Sequence, residues 1–177
     1  MTEHSGHAPT IITERMILRM PILADADPYM AVLMSDRAAH MGGPMVRHDA
    51  WLDFCMEVAT WPLRGYGPFT MEERKTGTFL GLMILHHDDG DPERELGWIL
   101  TPDAEGRGFA FEAAKPVRAW GFETHGWDSI VSYIAPENAR SVALAERLGA
   151  RLDTDAAPVP EYPDCLIYRH TNTETAA

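Results

Sequence analysis

The sequence predicts a single α/β (α+β) domain. Segments with the alternating pattern of strands and segments with helical periodicity follow one another along the chain. The length of 177 residues suits one compact domain with a sizeable core. Near the middle, at residues 95–113, an apolar strand runs through a glycine-rich loop into the start of a helix. We therefore expect one domain over residues 10–170, with flexible tails at 1–9 and 171–177.

The first half of the chain is expected to form three strands and two helices. Pro21 ends the first strand, and Asp25 or Asp27 caps the first helix. The second helix carries an apolar stripe that consists of Trp51, Leu52, Cys55, Val58 and Ala59. The expected elements are a strand at 11–20, a helix at 24–35, a loop at 42–44, a helix from 48 or 49 to 63, and strands at 69–73 and 78–86.

The second half is expected to bring the totals to about seven strands and about four helices. The helix after the glycine-rich loop contains Pro116, which costs roughly 3 kcal/mol in a helix interior and predicts a kink or an early end. Gly149 ends the last helix. The remaining elements are strands at 93–100, 130–135, 150–155 and 165–170, and a helix at 138–148.

The loop after the central strand has the chemistry of an anion site. Gly106 and Gly108 bracket Arg107, and a helix opens directly afterwards. The first N–H groups of a helix lack partners within it, and glycine lets this backbone approach a phosphate closely. No Walker A sequence follows, and the third glycine of a dinucleotide fingerprint is replaced by Phe111. A plain strand-to-helix turn is the alternative interpretation.

Composition and charge narrow the class of function. The net charge of −12 argues against a nucleic-acid partner. Residues 106–151 carry +1 and the remainder −13, which suits an anionic cofactor and a cationic substrate, or simply a solubilising surface. No apolar run could span a membrane and no signal peptide is recognised, so we expect a cytoplasmic protein. Cys55 and Cys165 form no metal or redox pattern and read as reduced thiols.

Three segments carry a family pattern, namely TERMILR at 13–19, ELGWIL with GRGFAFEAA at 95–114, and PENARSVALAERLGA at 136–150. In this order and spacing they resemble the GNAT acyl-CoA-dependent N-acetyltransferases, and most closely the branch of the ribosomal-protein N-terminal acetyltransferases. The resemblance covers most of residues 10–155. It implies a single-domain GNAT fold, in which a mixed, mostly antiparallel sheet splays open between the strands at 94–100 and 130–135 to bind acetyl-CoA.

The resemblance also implies the residues that hold the cofactor. The pantetheine arm would bond to the backbone of Trp98, Ile99 and Leu100. Glu105 departs from the family pattern, and its carboxylate would repel a pyrophosphate. We expect Glu105 to point to solvent, with Arg107 offsetting its charge. The pyrophosphate loop would consist of Gly106, Arg107, Gly108, Phe109 and Ala110.

Two polar residues open the helix at 138–148. Asn138 matches an asparagine that the family places beside the pantetheine, and it also suits the N-cap of the helix. Many relatives carry a tyrosine seven residues later, where this chain has Ala145. Ser141 is then the candidate that contacts the cofactor and gives a proton to the departing thiolate. A plain helix-surface serine is the alternative.

The implied reaction is direct attack of a neutral amine on the acetyl thioester in a ternary complex. Glu95 is the candidate base or water holder, because Glu95, Gly97 and Ile99 share one strand face and Gly97 leaves room there. A strand-edge glutamate in a surface ion pair is the alternative. His86 and His87 end the neighbouring strand, and we expect no metal there because no cysteine or carboxylate stands at ligand spacing.

The acceptor is left open. A protein N-terminal amine, with a pKa of ~7.7 to 8, would need only a weak base. A small polyamine or aminoglycoside would suit the acidic part of the chain. A cofactor-binding module with little turnover is a third interpretation, because Glu105 and Ala145 depart from the family pattern. Trp51, Trp61 and Tyr66 either line the acceptor pocket or pack in the core. A monomer and a homodimer both remain open.

Overall fold

The computed structural model describes residues 7–160 and 162–172. Its centre is one sheet that carries helices on both faces. The expected tails fall largely on residues 1–6 and 173–177, which lie outside the described residues. No helix among the described residues combines the length and apolar character that a bilayer crossing requires.

The strand expected at 11–20 forms two short strands, β1 (Ile11–Ile12) and β2 (Met16–Arg19), which pair antiparallel. The turn between them forms because the Thr13 hydroxyl oxygen accepts the Met16 N–H at 3.0 Å. Short polar side chains commonly redirect the backbone in this way. The single expected strand is therefore wrong, and the described sheet has eight strands where about seven were expected.

The described part of the chain contains four α-helices, as expected, together with short 3-10 turns. They are α1 (Ala26–Leu33), α2 (Arg47–Arg64), α3 (Phe109–His125) and α4 (Ala139–Arg147). α3 continues for nine residues past Pro116, so the expected early end is wrong. Ala113, Ala114 and Val117 are fully buried around this proline, and their packing outweighs the missing backbone hydrogen bond.

The apolar stripe expected on α2 is wrong for Trp51, Leu52 and Cys55, whereas Val58 does pack against the core. Trp51 and Leu52 are exposed, whereas the buried side chains of the helix are Ala50, Phe54 and Trp61. Apolar residues occupy most of the circumference of this helix, so periodicity alone does not fix its rotation. The inner face also carries the carboxyl of Asp53, which accepts a hydrogen bond from the Tyr29 hydroxyl at 2.5 Å.

The remaining strands complete a sheet in the order β1-β2-β3-β4-β5-β6-β8-β7. Neighbours pair antiparallel except β5 and β6, which run parallel, so the expected mixed and mostly antiparallel sheet is confirmed. These strands are β3 (Pro68–Glu73), β4 (Phe79–His86), β5 (Glu95–Leu100), β6 (Ser129–Ile134), β7 (Arg151–Leu152) and β8 (Leu166–Thr171).

Two core layers fix the positions of the helices. α3 packs its buried residues against Met83, Leu85 and Leu96 on one face of the sheet. α1 and the first half of α2 pack against Leu82 and Ile84 on the opposite face. Successive side chains of β4 and β5 therefore alternate between an α3 face and an α1/α2 face.

Candidate active site

The sheet opens between the two parallel strands in its centre. In the described strands β5 and β6 share one register pair, Glu95 with Val131. The Val131 N–H donates to the Arg94 carbonyl at 2.9 Å, just before this pair. β6 then continues as the partner of β8, with which it pairs along its full length. The expected splay is therefore confirmed at the expected strands.

The strand pairing decides which backbone groups face the opening. The Thr101 N–H donates to the Leu80 carbonyl at 2.9 Å, so the odd-numbered residues of β5 bond to β4 and the even-numbered ones face β6. Trp98 and Leu100 therefore direct their N–H and C=O groups into the opening, whereas Ile99 directs its own towards β4. An extended ligand with amide groups can bond to such a strand edge.

The glycine-rich loop leads directly into α3. Gly106 and Gly108 have φ angles of +71° and +80°, a left-handed conformation that glycine adopts without a Cβ penalty. Gly108 is the N-cap residue of α3, and the buried Phe109 and Ala110 anchor its first turn. The N–H groups of this turn have no partner within the helix, so they are free to bind an anion.

A groove of about 750 Å³ adjoins this helix start. Arg15, Arg107, Lys115 and Arg147 contribute positive charge to its walls. Two acidic residues, Glu14 and Glu112, also line it. The Glu112 carboxylate is paired with Arg15 at 2.6 Å, and hydrogen bonds to Thr13 and Arg15 outweigh the effect of burial and lower its pKa. The groove is therefore suited to a phosphorylated ligand.

Glu105 does not stand unpaired beside the loop. Its carboxylate contacts the guanidinium groups of Arg37 and Arg140, the second at 2.5 Å. Arg107 instead lies 3.4 Å from Glu73. The expectation that Arg107 offsets Glu105 is therefore wrong, because Arg37, from a distant segment, and Arg140 pair with the carboxylate instead. With two cations beside it, Glu105 no longer argues against an anionic ligand.

The start of α4 lies across the opening from β5. Asn138 is the N-cap, and its Oδ1 accepts the Ser141 N–H at 3.2 Å, so the expected cap is confirmed. The Trp98 indole Nε1–H donates to Ser141 Oγ at 3.1 Å. The Ser141 hydroxyl is therefore oriented, and its own proton can be donated to a ligand. Ala145 is fully buried.

Glu95 lies within a group of ionisable residues. Burial raises the pKa of Glu95 to about 7, although the charge of His86 and the Tyr133 backbone N–H pull it down. Burial lowers the pKa of His86. The carboxylates of Glu57 and Asp88, at 3.2 and 3.0 Å, outweigh burial and raise the pKa to about 10. Near neutral pH, therefore, His86 is charged and Glu95 exchanges its proton readily.

Glu95 and Ser141 lie on opposite faces of the sheet. Glu95 pairs across the strands with His86, whose ring contacts Glu57 of α2. Trp98 is three residues further along β5 and packs on the α3 face, where it meets Ser141. The opening between β5 and β6 separates the two candidates. A group lying in this opening could lose a proton on one side and gain one on the other.

We expected no carboxylate at metal-ligand spacing beside His86 and His87, and for His86 this expectation is wrong. Ligand atoms of His86, Asp88 and Asp91 lie within 4.8 Å of one another. The raised pKa of His86 favours the protonated imidazole, which lies 3.0 Å from the Asp88 carboxylate. The contact between His86 and Asp88 is therefore accounted for as an ion pair.

Several neighbours of the site could not be recognised from the sequence. Glu57 and His86 are far apart in the chain, and nothing local signals their contact. The alternation of β5 places Trp98 away from Glu95, but it does not reveal the hydrogen bond to Ser141. Of the aromatic candidates for the acceptor pocket, Trp61 and Tyr66 are core residues and Trp51 is 38% exposed.

The sequence of residues 15–151 matches the model of a family described as "Acetyltransferase (GNAT) domain". An acetyltransferase from Agrobacterium tumefaciens str. C58 has a similar crystal structure, with a TM-score of 0.88, 39% identity, and coverage of 93% of this chain and 95% of that one. The ribosomal-protein-S5-alanine acetyltransferase of Vibrio fischeri shares the fold alone, at 15% identity and a TM-score of 0.69, over 94% of this chain and 98% of that one.

Similarity to curated proteins is more limited in extent. An uncharacterized N-acetyltransferase of Bacillus subtilis (strain 168), YnaD, is 27% identical over 78 residues, which are 44% of this chain and 46% of the relative. YkkB of the same organism is 29% identical over 90 residues, or 49% and 52%. The chain thus spans about half the length of the curated relatives that it matches.

Proposed function

Because the chain belongs to the GNAT acetyltransferase family, we propose that it transfers an acetyl group from acetyl-CoA to a primary amine by direct attack in a ternary complex. The observation that carries the proposal is the opening between β5 and β6, with Glu95 on one face and Ser141 on the other. This arrangement supports proton removal from the amine and proton delivery to the leaving sulfur at two separate places.

The residues around the opening fit a long anionic thioester. Bound acetyl-CoA supplies an activated acetyl group, and the chain supplies its orientation. The backbone of Trp98 and Leu100 suits the pantetheine amides, with Ile99 between them, and Nδ2 of Asn138 can add a donor. The basic groove suits the phosphates. The loop that would cradle the pyrophosphate consists of Gly106, Arg107, Gly108, Phe109 and Ala110.

Glu95 acts as the base in this proposal, directly or through a water. Its pKa of about 7 lies close to that of a protein α-amine, ~7.7 to 8, so proton transfer between them is nearly balanced. A lysine-like amine, with a pKa of ~10.4, is protonated almost completely at neutral pH and needs more help. We therefore favour the N-terminal amine of a protein or peptide as the acceptor.

Ser141 acts as the acid. As the acceptor nitrogen bonds to the acetyl carbon and the C–S bond breaks, the Ser141 hydroxyl donates to the departing thiolate sulfur. The Trp98 indole holds the oxygen of Ser141 from one side at 3.1 Å, which directs its proton away from the indole. A solvent proton replaces the serine proton in the same step, so that no serine alkoxide is left beside the much less basic thiolate.

A small polycationic amine is the second candidate acceptor, and the cluster of carboxylates around His86 favours it. Glu57, Asp88, Asp91 and Glu95 all interact with His86 or with each other on the α1/α2 face. One charged imidazole does not neutralise this group, so a remaining negative potential would attract an acceptor that carries several ammonium groups.

The test is the release of CoA thiol from acetyl-CoA with a panel of acceptors at pH 7. The panel holds short peptides with free or blocked N-termini, polyamines and aminoglycosides. Turnover confined to free N-termini supports the first acceptor, and turnover on polycations supports the second. If no amine is acetylated although CoA binds, the proposed transfer fails and a binding module with little turnover is left.

A matched pair of variants tests the role of Glu95. Glu95→Gln is expected to lower kcat/KM by roughly 10²- to 10⁴-fold, since the amide cannot accept the proton. Glu123→Gln, at an exposed position of α3, makes the same chemical change and should retain the parent activity. Equal activities of the two variants would remove Glu95 from the mechanism.

A further inference from the structure

The last hydrogen bond before the opening is made by a side chain. The Ser132 hydroxyl donates to the Leu96 carbonyl at 2.6 Å. A regular parallel ladder that starts with Val131 N–H on Arg94 C=O would next bring the Tyr133 N–H to this same carbonyl. The Ser132 hydroxyl thus takes the position of a backbone donor, and β5 and β6 part beyond it.

The displaced backbone donor has a different partner. The Tyr133 N–H interacts with the Glu95 carboxylate, on which it favours the ionised form. The Ser132 hydroxyl therefore bonds to the Leu96 carbonyl, which would otherwise accept the next backbone hydrogen bond from β6. The Tyr133 N–H remains available to the Glu95 carboxylate. The two contacts are alternatives, because one N–H cannot point well at both the Leu96 carbonyl and the Glu95 carboxylate.

A buried chain of polar groups holds Ser132 in place. Ser132 and His170 are each 1% exposed, and Ser132 Oγ lies 3.1 Å from His170 Nε2. Arg118 lies 3.2 Å from His170 Nδ1 and donates to the Leu148 carbonyl at 2.8 Å. Because a guanidinium can only donate, Nδ1 accepts and Nε2–H donates to Ser132. The serine hydrogen is then directed at Leu96.

We propose that Ser132, held by His170 and Arg118, is a positioning residue that sets where the cofactor gap opens and keeps the Tyr133 N–H on Glu95. The inference rests on the proposed function, in which Glu95 is the base and the gap holds acetyl-CoA. Without the hydroxyl, the Tyr133 N–H returns to the Leu96 carbonyl. The ladder then closes by one step towards Trp98, and Glu95 loses its donor.

The charged groups that act on Glu95 make no hydrogen bond to Ser132. His86 of β4, Glu57 of α2 and Asp91 in the segment before β5 act on Glu95, and none of them is bonded to the serine. Burial lowers the pKa of His170 to about 4, and the charge of Arg118 of α3, which faces it, adds to this effect. His170 therefore stays neutral near pH 7, and a change at Glu95 reports the Tyr133 donor.

The experiment compares Ser132→Ala with Ser132→Thr, which keeps the hydroxyl. The pKa of Glu95 is measured by NMR titration of its side-chain carboxyl carbon, and CoA affinity by calorimetry, both on the intact chain. In the alanine variant we expect the pKa of Glu95 to rise by roughly half to one unit. CoA should bind roughly three- to ten-fold more weakly because the gap is narrowed. The threonine variant should retain the parent values.

Two further variants keep the test decisive. Ser132→Cys fills the site with a somewhat larger thiol that is only a weak donor, and it should behave like alanine even if the alanine variant unfolds. Ser129→Ala removes a hydroxyl from the same strand, one that accepts from Arg169 at 3.1 Å, and should change neither value. Unchanged Glu95 pKa or CoA affinity in the alanine and cysteine variants, or no rescue by threonine, overturns the proposal.

Neither readout requires turnover. If the parent protein acetylates no amine but its Ser132 variants show these shifts, the proposed function is contradicted and the positioning role of Ser132 stands. If the parent protein acetylates an amine but the Ser132 variants show no shift, the proposed function stands and the positioning role of Ser132 fails.

Discussion

Glu95 and His86 face each other across neighbouring strands, and their pKa values are both raised. Burial raises the pKa of the carboxyl, whereas the imidazole is held in its charged form by carboxylates of α2 and of the segment after β4. In an isolated salt bridge the pKa of the carboxyl would be lowered, whereas here it is raised. Near pH 7 the carboxyl can take a proton while the imidazole keeps its own.

The pH dependence of the reaction follows from this pair. Only the ionised form of Glu95 accepts a proton, so kcat/KM should rise with pH through about 7, and the ionisation of an α-amine acceptor adds a second rise near ~8. Rates of CoA release between pH 5.5 and 9 measure this. The rise near 7 should disappear in Glu95→Gln, and its persistence there would assign it to another group.

Local sequence patterns predict which candidate residues share one strand face or one helix start. The face shared by Glu95, Gly97 and Ile99 follows from strand alternation alone. The partners of these residues could not be predicted in the same way. Arg37 reaches Glu105, and Glu57 reaches His86, only because the fold brings distant segments together.

At the scale of elements, α3 begins and ends at a left-handed glycine. Gly108 at its N-terminus has φ +80°, and Gly126 at its C-terminus has φ +66°. A Cβ at Gly126 would meet no atom within 4 Å, and one at Gly108 would lie 3.6 Å from an Arg15 nitrogen. Substitution at either end therefore carries a similar backbone cost without a severe clash.

This symmetry allows a matched test of the anion site. Gly108→Ala and Gly126→Ala should each lower the free energy of unfolding by about 1 to 2 kcal/mol, measured in urea. Only Gly108→Ala should also weaken CoA binding in calorimetry, because the altered backbone is the one expected to meet the pyrophosphate. Equal CoA affinity in both variants would place the phosphates elsewhere.

The order of strands and helices could be predicted because each element carries its own periodicity and its own end signals. Two details could not. The Thr13 turn divides the first strand through a single hydrogen bond to Met16. The rotation of α2 depends on packing and on two inward carboxyl groups, Asp53 and Glu57, which act against the simple rule that polar side chains face solvent.

At the scale of the whole molecule, charge is distributed unevenly. The groove at the start of α3 is lined by basic side chains, whereas the α1/α2 face at the end of β4 gathers carboxylates. The net charge of −12 therefore does not describe the side of the molecule that carries this groove. The two substrates would meet opposite potentials on the two faces.

Salt should act differently on different acceptors. If a polyamine is a substrate, raising the ionic strength from 0.05 to 0.5 M should raise its KM several-fold, because screening weakens its attraction to the carboxylates. The KM of a short peptide without charged side chains should change much less. A KM for the polyamine that is as insensitive to salt as that of the peptide would contradict recognition by charge.

The opposite placement of Glu95 and Ser141 also bears on how the products depart. In the proposed arrangement the acetylated acceptor withdraws past α2, and CoA withdraws past the start of α3. With separate exits, neither product would have to wait for the other to clear a shared channel. The time between two reactions is then governed by the slower of two independent departures, and it does not grow as their sum.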